Sequence, residues 1–198
     1  MRVAVFGARG RTGRLAVKEL RRAGHEVVAA SRQGDPVEGA TAVAADPATG
    51  EGVAQAVEGC EAVINAMASG KGNPACSGLA RALRDQEGLR YISVAGAAVD
   101  APGDRKGMVD KVASWLSRTV AKDVVLDRQA ELDLLHGSRL RWTLLRPPRL
   151  VDGPAKGDVK VSFERPQAIQ ITRADLARKI VEAIGDTNLV GRAPFVSN

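Results

Sequence analysis

Residues 3–13 read Val3-Ala4-Val5-Phe6-Gly7-Ala8-Arg9-Gly10-Arg11-Thr12-Gly13, a short apolar run that passes through a glycine-rich turn into an amphipathic stretch. A strand followed at once by glycines at three-residue spacing and then a helix predicts a cradle for the phosphates of a dinucleotide. Gly7 allows a sharp turn off the strand, Gly10 lets backbone approach a pyrophosphate, and Gly13 lets the helix pack close on the sheet. The helix start adds unpaired N–H groups and the positive end of its dipole. The alternative is a tight strand-to-helix turn that binds nothing.

Outward from this junction, a helix over about Arg11–Ala23 ends at Gly24-His25, and Glu26–Ala30 reads as a second strand, completing a βαβ unit. The alternation continues with a strand at Ala42–Ala44, a helix at Gly50–Glu58, a strand at Ala62–Asn65, a helix at Pro74–Gln86 and a strand at Tyr91–Val94. Residues 97–118 open as a Gly/Pro/Asp loop and turn helical, and 120–136 form a long helix. A strand at Arg141–Arg146 stops at Pro147-Pro148, Val159–Phe163 alternates with period two, and Ile169–Ile171 leads to Thr172 as the N-cap, with Asp175 as its partner, of a helix over Leu176–Ile184. A last short strand falls near Pro194–Val196. Regular alternation of this kind predicts an α/β fold, a doubly wound parallel sheet in a single domain over 1–198 with insertions at about 97–118 and 147–168.

Composition narrows the partners. Apolar residues make up 44% of the 198, but aromatics only 3%, so Val, Ala, Leu and Ile must build the core, a palette suited to buried parallel strands. The net charge of +6 comes from scattered arginines, several of them at the cradle, so an anionic ligand is expected rather than nucleic acid. Cys60 and Cys76 have neither metal nor redox spacing, and no metal is expected. No apolar stretch reaches membrane length, and a first strand at residue 2 leaves no room for a signal peptide, so a cytoplasmic protein is expected. Monomer and homodimer both remain open.

The second strand indicates which dinucleotide. An acid at its end would hold a ribose 2′-hydroxyl, whereas an arginine there can grip a 2′-phosphate. The strand ends Ala29-Ala30-Ser31-Arg32-Gln33, which favours NADP(H), with Arg9 and Ser31 contributing to the pocket. Asp35 is a displaced acid in the loop beyond the strand.

VAVFGARGRTGR, the Arg32 strand end, Asp46, INAMASG, YISVAG, LRPPRL and ITRADLARKIVEAI together resemble the atypical short-chain dehydrogenases, nearest to NAD(P)H-binding proteins of the biliverdin reductase B or flavin reductase type. That resemblance implies a Rossmann-like fold, with Asp46 and Pro47 beside the adenine and Ala66, Met67 and Ala68 under the nicotinamide ribose. It implies Ser93, Val94 and Gly96 at the nicotinamide and Pro147 to Leu150 over its carboxamide, with Gly7, Arg9, Gly10, Arg11, Thr12 and Gly13 around the phosphates. Orthodox members use a tyrosine four residues before a lysine as proton donor, but the single tyrosine, Tyr91, is followed at that distance by Ala95. The corresponding stretch of the long helix places Asp127 and Glu131 on one face, read as a solvated surface or else a proton relay. His136 reads as a helix-end residue, and His25 as structural.

Without a tuned acid, reduction of an unactivated ketone is disfavoured, whereas a flavin, a quinone or another conjugated small-molecule acceptor can take hydride and be protonated afterwards. An NADPH-dependent reductase is therefore expected, with Ser93 as the candidate catalytic residue and Met108 and Arg149 as candidate substrate contacts; Trp115 fits better as core. Two alternatives stand beside it: a non-catalytic NADP-binding redox sensor, and a biosynthetic ketoreductase or epimerase-like enzyme.

Overall fold

The structure, a computed structural model, describes residues 1–68, 72–105, 107 and 122–198. Six parallel strands form the central sheet: β1 (Arg2–Phe6), β2 (Glu26–Ser31), β3 (Thr41–Ala44), β4 (Ala62–Asn65), β5 (Arg90–Val94) and β6 (Arg141–Leu145), in the order β3-β2-β1-β4-β5-β6. The order reverses between β1 and β4, which opens a crevice at the carboxyl ends of those strands. The Rossmann-like single domain expected from the sequence is therefore the fold observed.

Helix α1 (Arg11–Arg22) and helix α5 (Arg173–Gly185) cover one face, where Val17, Leu20, Leu176 and Ile180 pack on Val3, Val5, Ala62, Ile64 and Ile92. The other face carries α2 (Val53–Val57), α3 (Ala75–Leu83) and α4 (Lys122–His136), whose Val53, Leu79, Leu83, Leu132 and Leu135 meet Ala4, Phe6, Val63 and Tyr91. With period-two strands buried on both faces, successive residues serve opposite layers. On β4, Ala62 and Ile64 face α1 and α5, while Val63 faces α3 and α4.

Four short strands that follow β6 form two small two-stranded sheets: β7 (Arg149–Val151) pairs in parallel with β9 (Gln170–Thr172), and β8 (Lys160–Ser162) pairs antiparallel with β10 (Phe195–Ser197). The β7 strand was not expected, because the prolines at 147 and 148 read as a loop. Thr172 caps α5 as expected, its Oγ1 accepting from the Asp175 amide at 3.0 Å. Helix α5 starts at Arg173, three residues earlier than read, since the capping turn itself is helical.

Candidate functional site

The glycine turn lies at the reversal point of the sheet. Gly7 has φ +83°, and a Cβ there would stand 2.7 Å from the backbone of Ala66 and Met67, so the loops after β1 and β4 touch. A Cβ on Gly13 would stand 2.0 Å from the Gly7 carbonyl oxygen, so α1 is seated directly on the turn. Gly10 is the N-cap of α1, and no side chain caps the helix. No acidic residue occupies its first turn either, which leaves the N-terminal N–H groups and dipole directed at a cavity of about 520 Å³. Gly7, Gly10, Arg11 and Thr12 line that cavity, whereas Gly13 packs against the backbone of Gly7 and Ala8. Arg11 and Arg173 also border it, both paired with the exposed carboxylate of Asp152.

A second cavity of about 470 Å³ adjoins the end of β2 and shares Gly7, Arg32, Pro47 and Met67 with the first. Arg9, Ser31, Arg32 and Asp35 line it. Arg32 is exposed and makes no ion pair among the described residues, whereas Arg9 is paired with Asp35. Asp35 lies in the loop past β2, as the sequence indicates, and that loop turns back on Ser31, so that the acid reaches the arginine pocket.

Further along the first cavity lie Asp46, Pro47, Ala66, Met67 and Ala68. The Asp46 carboxylate accepts from the Ala48 amide at 3.0 Å, an Asx turn that fixes the end of β3. Asn73 borders the same space, and its Oδ1 is buried without a partner among the described residues. A buried acceptor left unpaired is costly, so this oxygen is suited to a ligand N–H. Nothing in the sequence around Asn73 marked it.

The far end of the cavity is walled by Val94, Ala95, Gly96, Ala98 and Val99 from the β5 side, by Val124, Val125 and Arg128 from α4, and by Leu150 from β7. Ser93 is absent from this wall: it is fully buried, and its Oγ donates to Glu131 Oε1 at 2.7 Å and accepts from Arg128 at 2.9 Å. Pro147 is buried, its carbonyl accepting from the Ala97 amide at 2.9 Å, and Arg149 is exposed outside both cavities, with Leu150 taking the inward position. Met108 and Trp115 lie outside the described residues.

Asp127 and Glu131 are not a solvated face. Asp127 caps α3, accepting from the Cys76 and Ser77 amides at 3.0 Å each. Glu131 is fully buried, and accepts from Asn65 at 2.8 Å, Tyr91 at 2.7 Å, Ser93 at 2.7 Å and Arg128 at 2.6 Å. The face that meets the cavity is instead Val124 with Arg128, four residues apart. A signal for this was present: Asp127 and Glu131 recur at four-residue spacing with Leu135, the stripe of α4 that must face the core. Burial and the neighbouring Glu131 carboxylate hold the Tyr91 hydroxyl well above its ordinary range. Burial disfavours charge on Arg128, but the Glu131 carboxylate and its hydrogen bond more than offset this and raise its pKa. Arg128 also donates to the Met67 carbonyl, while the Met67 amide donates to Asn65 at 3.2 Å, so one network fixes the loop after β4 from both sides.

The model of a family described as NAD(P)H-binding matches residues 7–187. The chain belongs to this NAD(P)H-binding family. Among solved structures, it is similar to a candidate NADH-flavin reductase from Streptococcus pneumoniae TIGR4, at 22% identity and a TM-score of 0.79 over 100% of this chain and 99% of that one. It is also similar to ChuY, an anaerobilin reductase from Escherichia coli O157:H7, at 20% identity and a TM-score of 0.77 over 100% and 97% of the two chains. A third, a short-chain dehydrogenase/reductase from Veillonella parvula DSM 2008 in complex with NADP, gives 22% identity and a TM-score of 0.77 over 100% and 94%. At these identities the likeness establishes the shared fold. Among the described residues, no helix is long and apolar enough to cross a membrane, and no cluster of His, Cys, Asp and Glu could hold a metal ion.

Proposed function

We propose that this chain is an NADPH-dependent oxidoreductase acting on a flavin, a quinone or another planar conjugated acceptor. The observation that carries this reading is the position of Tyr91. It is the chain's only tyrosine, and its hydroxyl is fully buried and donates to Glu131, while Val124 and Arg128 present the α4 face to the cavity. A tyrosine acid of the orthodox kind is therefore not available to protonate an alkoxide.

The cradle fits a dinucleotide: a Cβ on Gly7 or Gly13 would collide with backbone, and the uncapped α1 terminus faces the space where a pyrophosphate would lie. Bound reduced nicotinamide supplies a hydride. The residues of this chain bind, orient and exclude water. Gly7 to Thr12 take the phosphates, Arg32 with Arg9 and Ser31 takes the 2′-phosphate, and Asp46 and Pro47 border the adenine. Ala66 to Ala68 lie under the nicotinamide ribose. Val94, Val99, Val124 and Val125 give the acceptor end an apolar wall that suits a flat ring and holds it in a near-attack pose. Arg128, kept charged by Glu131, provides positive charge for the anion left on a reduced conjugated acceptor, which water then protonates.

The neighbours include an anaerobilin reductase, a candidate NADH-flavin reductase and a short-chain dehydrogenase/reductase in complex with NADP, which support this reading. We propose a cytoplasmic location and, since the arginines are scattered rather than gathered into a basic run, no nucleic-acid partner. The test is NADPH consumption by the purified chain across flavins, quinones, conjugated carbonyls and simple ketones. Acceleration by the conjugated acceptors alone is expected; binding of NADPH with no turnover on any of them would leave the redox-sensor alternative in its place.

A further inference from the structure

Asp35 closes back on β2. Its amide donates to Ser31 Oγ at 2.9 Å, Ser31 Oγ donates to its Oδ2 at 3.1 Å, and Arg9 Nη1 is paired with that same oxygen. Arg9, Ser31 and Asp35 line one cavity with Arg32, which makes no ion pair among the described residues. The carboxylate thus holds two of the donors that, on the reading proposed above, serve the 2′-phosphate.

We propose that Asp35 is the specificity-determining residue of this site, an internal competitor for the 2′-phosphate that holds the chain's preference for NADPH over NADH below what its arginines alone would give. The inference rests on the functional reading above. Carboxylate and phosphate oxygens want the same donors, and two anions on one guanidinium Nη1 repel at close range. A 2′-phosphate must therefore displace Asp35 from Arg9 and Ser31 before it gains them. A ribose 2′-hydroxyl needs no displacement, because it can donate to Asp35 where the carboxylate stands. Arg32 is available in either case, so phosphate recognition survives through one guanidinium while the second is withheld.

The site is also cheap to alter. Arg9 and Asp35 are both partly exposed, at 53% and 27% of their side-chain surface, so loss of their pair costs the fold little. Asp35→Asn keeps the backbone bond to Ser31 and the side-chain shape but removes the negative charge.

The experiment is a titration of wild type and Asp35→Asn with NADPH and with NADH, followed by nicotinamide fluorescence. The NADPH dissociation constant should fall on the order of tenfold in the variant, from lost repulsion and the freed Arg9, while NADH binds no tighter. Adding Arg9→Ala to the variant should cancel most of the NADPH gain. If both dinucleotides bind but the NADPH-to-NADH ratio moves less than about twofold, or if the gain persists without Arg9, the inference is overturned and the functional reading stands. If neither dinucleotide binds either protein, both are overturned.

Discussion

Arg128 donates to Glu131 across 2.6 Å, three residues apart on α4, with 5% and 0% of their side chains exposed. The pair faces two ways: Glu131 gathers Asn65, Tyr91 and Ser93 beneath the helix, while Arg128 reaches the cavity and the Met67 carbonyl. A buried ion pair seldom adds net stability over an apolar replacement, but removing one partner strands the other. Its value here is positional, because it fixes the loop that passes under the cleft.

Glu131→Gln is accordingly expected to cost about 3 kcal/mol in chemical denaturation, because the Arg128 guanidinium is left without a counter-charge. Replacing both residues, Glu131→Gln with Arg128→Met, should recover part of that loss while cofactor affinity stays low. Additive losses in the double variant would show that the two side chains act independently.

Gly13→Ala places a methyl carbon 2.0 Å from the Gly7 carbonyl, a backbone atom that cannot step aside without moving the turn. Dinucleotide binding should be lost and stability should drop by more than about 2 kcal/mol. Gly185→Ala, where a Cβ meets open space at the end of α5, should be neutral or stabilising by up to about 1 kcal/mol. Calorimetry on the two variants checks both statements.

How far the sequence could be read depended on whether a side chain's partner was close along the chain. The β1 turn, the α1 helix, the β4 boundaries and the Thr172 cap each rest on residues within a few positions of one another, and each is found as read. The Glu131 network joins residues 65, 91, 93, 128 and 131; the spacing of Asp127, Glu131 and Leu135 marks the core-facing stripe of α4, but no local pattern announces which distant partners Glu131 meets there. That Asp35 reaches the pocket is not legible for a related reason: the turn that brings it back to Ser31 is a hydrogen-bonding arrangement, not a hydrophobic pattern. Asn73 borders the cavity from the loop before α3, where no periodicity operates.

Arg32→Ala and Asn73→Ala separate the two ends of the cleft. Loss of Arg32 should weaken NADPH by on the order of tenfold and leave NADH unchanged, since a single charge-assisted contact to the 2′-phosphate is removed. Loss of Asn73, whose unpaired oxygen is offered to a ligand N–H, should weaken both forms alike by up to about tenfold. Parallel titrations decide it, and equal effects of Arg32→Ala on the two cofactors would remove the 2′-phosphate assignment.

Stability should fall in acid through Asp175. Burial disfavours its charge, but the Lys156 amide at 2.8 Å, the Thr172 hydroxyl at 2.7 Å, the Gly157 amide at 3.0 Å and the Asn198 amide group outweigh this and lower its pKa. A carboxyl whose pKa is lower folded than unfolded contributes stability above its unfolded value, and that contribution is lost as pH falls through the folded value. Asp175→Asn should therefore be clearly less stable than wild type at neutral pH, and the gap should narrow below the ordinary carboxylate range. A gap that stays constant across that window would contradict the assignment.

The most direct test of the central claim is a stopped-flow measurement of NADPH oxidation by the protein with a flavin or a quinone, comparing ordinary NADPH with NADPH deuterated at the transferred position of the nicotinamide. Oxidation faster than in buffer and slowed by deuterium is expected, because the chain holds donor and acceptor for direct hydride transfer. Oxidation no faster with the protein than without it, for every conjugated acceptor, would contradict it.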